Sequence, residues 1–336
     1  MKRTIHGLRR LFRIGLITGG MALIALQWHC SSQQSDRKDS FKVALLSPGP
    51  ISDAGWNAAA YEGLMKIKEE LGARVSQIET KTPSEFEEAF RDYAHRGFHL
   101  VFGHGFEFQD AAAAVAPEFP NTVFITTSGN TVRPNVSPMV FELEEATYLA
   151  GMLAALMSRT GKLGAVGGME IPPVASTFAA FEAGAKAANP DVQVLISYIG
   201  NWEDVAAARQ AAMALIDRGC DFLIHNADAA AAGVFQAAAE RDVFVFGTNK
   251  NQNHLDPQHV IASCVSHIPQ AFVEMARIVQ SGRFEPKVYR LGMKEGVVEF
   301  VINPELRHRI PADVLARIDK ARQSILAGDI IVPSKQ

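Results

Sequence analysis

The 336-residue sequence is poor in cysteine, and the three it has make no pattern. Cys30, Cys220 and Cys264 include no CxxC pair and no His/Cys cluster, so structural zinc, a dithiol redox centre and a disulfide-stapled scaffold are excluded as organising principles. Cys220 and Cys264 lie beside the apolar runs Phe222–Ile224 and Val260–Ala262; they could pair in an oxidising compartment, but two separate buried thiols are expected. The common phosphate and nucleophile motifs are missing too. Gly161-Lys162 is followed by Leu163 rather than Ser or Thr, Gly103-His104-Gly105 lacks a third glycine at dinucleotide spacing, and no GxSxG occurs. With no Ser or Cys nucleophile at a strand-to-helix elbow, the expectation is a protein that is not an enzyme and needs neither cofactor nor metal. The apolar run Ile14–Leu26 is shorter than the roughly 20 residues of a membrane-spanning helix.

Positive charge is concentrated at one end. The first 29 residues hold Lys2, Arg3, Arg9, Arg10 and Arg13 with no acidic residue, while the whole chain carries a net charge of −3. The remainder is therefore acidic, which disfavours nucleic acid as a partner. A basic segment before a short apolar run reads as an export signal over residues 1–29. Cys30 then opens a polar linker, residues 30–40, at the position where a lipoprotein signal places its acylated cysteine. Gln27 and His29 depart from the usual residues of such a box, so this reading rests on position. Arg9-Arg10-Leu11-Phe12 resembles part of a twin-arginine signal, a second export route.

After the linker, β-rich apolar runs alternate at least six times with amphipathic or alanine-rich segments, the pattern of parallel βαβ units. Strands are expected at Lys42–Ser47, Arg74–Ile78, His99–Gly103, Thr122–Thr127, Lys162–Gly167, Val192–Ile199, Asp221–Asn226, Val243–Gly247, Val260–Val265 and Gly296–Ile302. Helices are expected at Ala54–Leu71, Pro83–Arg96, Ala146–Arg159, Ala175–Ala188, Glu203–Arg218, Ala229–Arg241 and Ala312–Leu326, with Gly72 stopping the first and Thr82/Glu85 spaced as a capping box. About 300 residues exceed one ordinary core, and no Pro- or Ser-rich linker splits the body. The expected fold is α/β with two lobes: 41–145 plus 248–282 form lobe one, and 146–247 plus 283–332 form lobe two with a C-terminal helix.

Ligands of open parallel sheets sit at the carboxyl ends of the strands. Here those ends offer Asp53, Trp56 and Asn57 after the first strand, Phe106 after the third, Trp202 after Ile199, Asn226 and Asp228 near the end of the seventh, and Asn249 and Lys250 after the eighth. Aromatic faces supply contact area, and amides and carboxylates supply direction. That combination suits a planar heterocycle with sugar hydroxyls, whereas a phosphate would be repelled by Asp53. Each residue also has a plainer role available: Asp53, Asn201 and Asp228 as helix caps, the tryptophans as core, and His104 and His225 as neutral hydrogen-bonded side chains.

The sequence resembles the basic membrane lipoprotein family of ABC-transporter substrate-binding proteins, which includes purine nucleoside receptors. The resemblance runs from about Lys42 to Pro333. It is carried by Ser52-Asp53-Ala54-Gly55-Trp56-Asn57 with Ala60-Tyr61-Glu62-Gly63, by Gly105-Phe106-Glu107-Phe108 with Asp110-Ala111, by Leu149-Ala150-Gly151 before Thr160-Gly161-Lys162, by Val166-Gly167-Gly168-Met169, and by Gly233-Val234-Phe235-Gln236-Ala237-Ala238. It implies a periplasmic-binding-protein fold with three crossings between lobes, closing on a ligand whose base lies between rings of the two lobes. Trp56 or Phe106 would supply one ring and Trp202 the other, with Asp53 near the base. Two positions depart from the family: Asn249 stands where members often have Asp for the ribose, and Ser266 where a Lys is common. Asn226, Asp228 and Lys250 could substitute, and a free purine base stays open. The expected function is capture of a small polar ligand, a purine nucleoside or relative, for an ABC permease, with a lipid anchor to the membrane. The rival readings are a sensory receptor that docks on a membrane signalling partner and a nucleoside hydrolase.

Overall fold

The computed structural model describes residues 40–334; the expected export signal over 1–29 and the expected acylation of Cys30 lie outside the described residues. The strands are β1 (Lys42–Ser47), β2 (Arg74–Glu79), β3 (Leu100–Gly103), β4 (Val123–Thr127), β5 (Val136–Phe141), β6 (Lys162–Gly167), β7 (Gln193–Tyr198), β8 (Phe222–Asn226), β9 (Phe244–Asn249), β10 (Val260–Ser266), β11 (Tyr289–Leu291) and β12 (Val298–Ile302). The helices are α1 (Trp56–Leu71), α2 (Pro83–His95), α3 (Gln109–Val115), α4 (Glu144–Met157), α5 (Pro172–Ala188), α6 (Val205–Asp217), α7 (Ala231–Arg241), α8 (Ile268–Gln280) and α9 (Ala312–Ala327).

The strands form two sheets, one per lobe, ordered β11-β5-β4-β3-β1-β2 and β12-β10-β9-β8-β6-β7. Read inward from β2 and from β7, the two sheets repeat the same order over five strands. The first is parallel throughout. The second is parallel except for β12, which runs against β10. Side chains of a strand alternate between faces, and both faces are covered here. Val43 and Leu45 point into a core with α1 and α8, whereas Ala44 and Leu46 point into one with α2 and α3. The second sheet packs against α4, α5 and α9 on one face and against α6 and α7 on the other. This two-sided burial explains why the strands read as apolar runs. Phe102 on β3 stacks on Phe272 of α8 at 4.1 Å, and Phe272→Ala would cost about 3–5 kcal/mol.

Strand pairing divides the chain differently from the expected lobes. The expectation placed 248–282 in lobe one and 283–332 in lobe two. The structure pairs β10 with β9 and β12 in the second sheet, and pairs β11 with β5 in the first. The chain therefore crosses between lobes around Glu142–Glu145, around His267 and around Gly292–Val297. The strands β5 and β11 and the helices α3 and α8 went unread in the sequence. β5 contains Pro138, which argues against an interior strand, yet β5 is flanked by β4 and β11. Helix α8 buries Ile268, Ala271, Phe272, Met275 and Ala276, an apolar stripe at helical spacing.

Local signals behaved as their chemistry requires. The Thr82/Glu85 capping box forms, with Glu85 N–H donating to Thr82 Oγ1 at 3.3 Å and Thr82 N–H to Glu85 Oε2 at 3.2 Å. Asp204 caps α6 by accepting from Ala207 N–H, and Gly72 ends α1 at φ 63°. Gly151 of α4 and Gly184 of α5 let two backbones touch: a Cβ on either would lie 1.9 Å from the carbonyl oxygen of Phe181 or Tyr148. Cys220 and Cys264 are both free and buried, in cores on opposite faces of the second sheet, which rules out the pairing considered above. Burial pushes the Cys220 thiol up to about 11, and that of Cys264 higher still.

Candidate functional site

The carboxyl ends of both sheets face one cleft of about 610 Å³, its open mouth included. Lobe one contributes Pro48, Trp56, Gly105, Phe106, Glu107, Ser128 and Phe141, and lobe two contributes Trp202, Asn226, Asp228, Asn249 and residues of the α5 amino end. Thus Trp56, Phe106, Trp202, Asn226, Asp228 and Asn249 converge on one cavity. Asp53 and Asn57 line a smaller recess beside it, together with Trp202 and Asp228. Backbone strain gathers here as well. Ala54, Ser128, Asp228 and Asn249 all adopt positive φ, between 47° and 77°, at the strand ends that make the cleft. Such conformations cost about 1–3 kcal/mol each and persist where surrounding structure imposes them.

Trp56 begins α1 and is held from behind. The His104 ring stacks on it at 4.1 Å and 21°, and Phe141 meets its edge at 5.9 Å. Trp202 follows β7 and packs against Gly168, whose missing side chain makes the room: a Cβ there would lie 2.2 Å from indole Cε3. Both indoles line the cleft, one from each lobe.

The polar groups of the cleft are two carboxyls, Glu107 and Asp228, among hydroxyls and amides. Asp53 is turned inward, its carboxylate accepting from Gly55 N–H (3.0 Å), Asn57 N–H (2.8 Å), Asn57 Nδ2 (2.9 Å) and Ala58 N–H (2.9 Å). It therefore caps α1, the plainer of its two expected roles, and it also fixes the Asn57 amide. With Nδ2 committed to Asp53, Asn57 Oδ1 is buried with no hydrogen-bond partner in the protein, as is Ser266 Oγ on the cleft wall. Asp228 has its carboxyl held well above the usual range, first by burial and then by the charges of Asp53 and Glu107. Burial raises Glu107 as well. Neither lysine nor arginine lines the cleft or its side recess. A ligand entering here meets stacking surfaces, two buried carboxyl groups, and hydroxyls and amides that can donate or accept; a phosphate would meet no cation.

Lys250 lies elsewhere. Its ammonium pairs with Glu62 of α1 at 2.5 Å and is absent from the cleft lining, so the expected ribose contact is replaced by an ion pair between lobes. Lys81 and Glu203 make a second such pair at 3.2 Å, and Gln252 Nε2 donates to Ala54 O across the same gap at 3.4 Å. Sequence reasoning also missed Glu107, Ser128, Ser266 and Thr177. Glu107 and Ser266 were in view, one inside a quoted motif and the other as a departure. Thr177 sits a turn into α5 and gives no signal at a strand end.

A two-lobed α/β molecule with an aromatic ring from each lobe lining an acidic cleft has the arrangement of a solute receptor. The chain belongs to the Bmp family of PnrA-like ABC-transporter substrate-binding proteins, whose model matches residues 40–336. It is 31% identical to basic membrane protein A2 of Borrelia garinii subsp. bavariensis, over 90% of this chain and 91% of that one. It is 28% identical to a purine-binding protein of Brucella abortus, over 87% and 85% of the two chains. It is 27% identical to the ABC transporter nucleoside-binding protein BmpA of Lactococcus lactis, over 89% and 90%. In fold it is similar to an ABC-transporter solute-binding protein of Aeropyrum pernix, with a TM-score of 0.80 at 24% identity, covering 88% of this chain and 94% of that one. The molecule has the periplasmic-binding-protein fold, in a family of solute-binding proteins rather than enzymes. Among the described residues, no helix is long and apolar enough to cross a membrane.

Proposed function

We propose that this protein captures a purine, as nucleoside or free base, outside the cytoplasm and delivers it to an ABC permease, tethered to the membrane through an acylated Cys30. The observation that carries this reading is that Trp56 and Trp202, two indoles from different lobes, line one cleft. A flat heterocycle between them would bury both faces, while Asp228, Asn226, Asn249 and Ser266 Oγ would exchange hydrogen bonds with its amino, imino or hydroxyl groups. The purine and nucleoside names of two relatives point the same way. A ligand that contacts both lobes binds the closed arrangement better than the open one, so its binding energy drives closure. Two stacked faces with several directed hydrogen bonds supply about −8 to −11 kcal/mol, a micromolar-to-nanomolar affinity.

Calorimetry with adenosine, guanosine, inosine and their bases tests the reading. Saturable heat from at least one purine and none from the matching 5′-monophosphates is expected. Silence from every purine would remove the ligand assignment and leave the receptor fold standing.

A further inference from the structure

The two lobes carry the same side-chain device at equivalent places. His104, just after β3, places Nδ1 3.0 Å from Thr127 Oγ1 at the end of β4. His225, in β8, places Nδ1 3.4 Å from Thr248 Oγ1 in β9. β3 and β4 occupy in the first sheet the positions that β8 and β9 occupy in the second, and each pair is 23 residues apart in sequence. Both imidazoles are buried, at 0% and 2% exposure. In each the other nitrogen faces an oxygen: His104 Nε2 lies 3.0 Å from Trp56 O, and His225 Nε2 lies 3.0 Å from Gln252 Oε1. A carbonyl oxygen can only accept, so Nε2 carries the proton in both rings and Nδ1 accepts from the threonine hydroxyl. Burial lowers the two imidazoles to about 3 and about 4, which keeps them neutral and that tautomer in place.

We propose that His104 and His225 are a matched pair of positioning residues, each an imidazole that holds one neighbouring group: in lobe one the Trp56 indole that lines the cleft, and in lobe two the Gln252 amide that reaches across to Ala54 O. His104 does this twice over, by its bond to the Trp56 carbonyl and by stacking on the indole at 4.1 Å. His225 shares Gln252 Oε1 with Thr248 N–H (2.9 Å), which turns Gln252 Nε2 toward Ala54 O of the opposite lobe. One repeated device thus serves two ends, a platform for the ligand and a clasp between lobes. Its effect on affinity rests on the purine reading of the cleft; the positioning itself does not.

The test uses the full-length chain. In a Trp28→Phe/Trp202→Phe background Trp56 is the sole indole, and its acrylamide quenching reports how firmly the ring is held without any ligand. His104→Ala should raise that quenching, and in the otherwise native protein should weaken adenosine binding about tenfold at unchanged far-UV dichroism. His104→Gln, which returns an amide N–H toward Trp56 O, should recover affinity to within about threefold of the parent. If His104→Ala does not fold, His104→Gln and Thr127→Val decide, the second raising quenching because it frees the ring at Nδ1. His225→Ala should leave Trp56 quenching at the parental level, speed amide exchange over 248–253 and shorten adenosine residence. Gln252→Ala should shorten it as much, and the double variant no further. Unchanged Trp56 quenching in the His104 variants overturns the lobe-one half, and additive His225 and Gln252 effects overturn the lobe-two half. Absence of adenosine binding by the parent would count against the purine reading alone, since quenching and exchange still read the two imidazoles.

Discussion

Gly168→Ala adds only one methyl group, yet the geometry assigns it a large functional effect. The new Cβ would stand 2.2 Å from Cε3 and 2.5 Å from Cζ3 of Trp202, and 2.9 Å from Asn201 O. Carbon atoms at ordinary contact sit about 3.5–4.0 Å apart, so the indole must retreat by more than an ångström. In a closed core such overpacking costs about 1–3 kcal/mol of stability. Trp202 instead borders the cleft, and the ring escapes toward the space a ligand would occupy. The strain then appears as lost stacking, about 0.5–1.5 kcal/mol, plus lost contact area. The expected outcome is a ten- to hundredfold weaker affinity, roughly 1.4–2.7 kcal/mol, with melting displaced by only a few degrees. Purine titration calorimetry and a thermal melt on the same preparation measure both. Parental affinity would refute the argument, and so would a collapsed melt with unchanged affinity per folded molecule, because Trp202 would then be core.

Asp53→Ala removes four hydrogen bonds to the start of α1 and should destabilise by about 0.5–2 kcal/mol, the range for a lost helix cap, which thermal melts without ligand would register. A loss of affinity with no loss of stability would show that Asp53 acts on the ligand directly. Asp228→Asn should stabilise the ligand-free protein above pH 5 and do so less as pH falls toward 4. A carboxyl whose folded value is raised binds protons more tightly in the native state, so its burden grows as pH climbs from the unfolded value through the folded one. Melts from pH 4 to 8 measure it, and a benefit that is largest at pH 4 would reverse the sign of the argument.

Much of the fold was legible because its signals are local. The apolar runs of β1, β3, β6 and β8 report burial on both faces, and Thr82, Glu85, Gly72 and Asp204 report helix ends through bonds to chain neighbours. β5 was illegible because Pro138 removes a donor that an interior strand usually needs, and only neighbours on both sides make it a strand. The loop residues of the site were legible as a class, since strand carboxyl ends are where a parallel sheet exposes chemistry.

What the sequence determined by itself was therefore the alternation of strand and helix along most of the body and the residue types at the strand ends. Tertiary structure alone decided how those residues are used. Asp53 became a cap because α1 starts within reach of its carboxylate; Lys250 went to Glu62 because the lobes approach there. Glu107 and Ser266 joined the cleft because β3 and β10 end facing it from opposite lobes. The physical reason is range. Burial pattern and capping act within a few residues of the chain, whereas a side chain's partner across a cleft depends on two sheets whose relative placement no short stretch of sequence encodes.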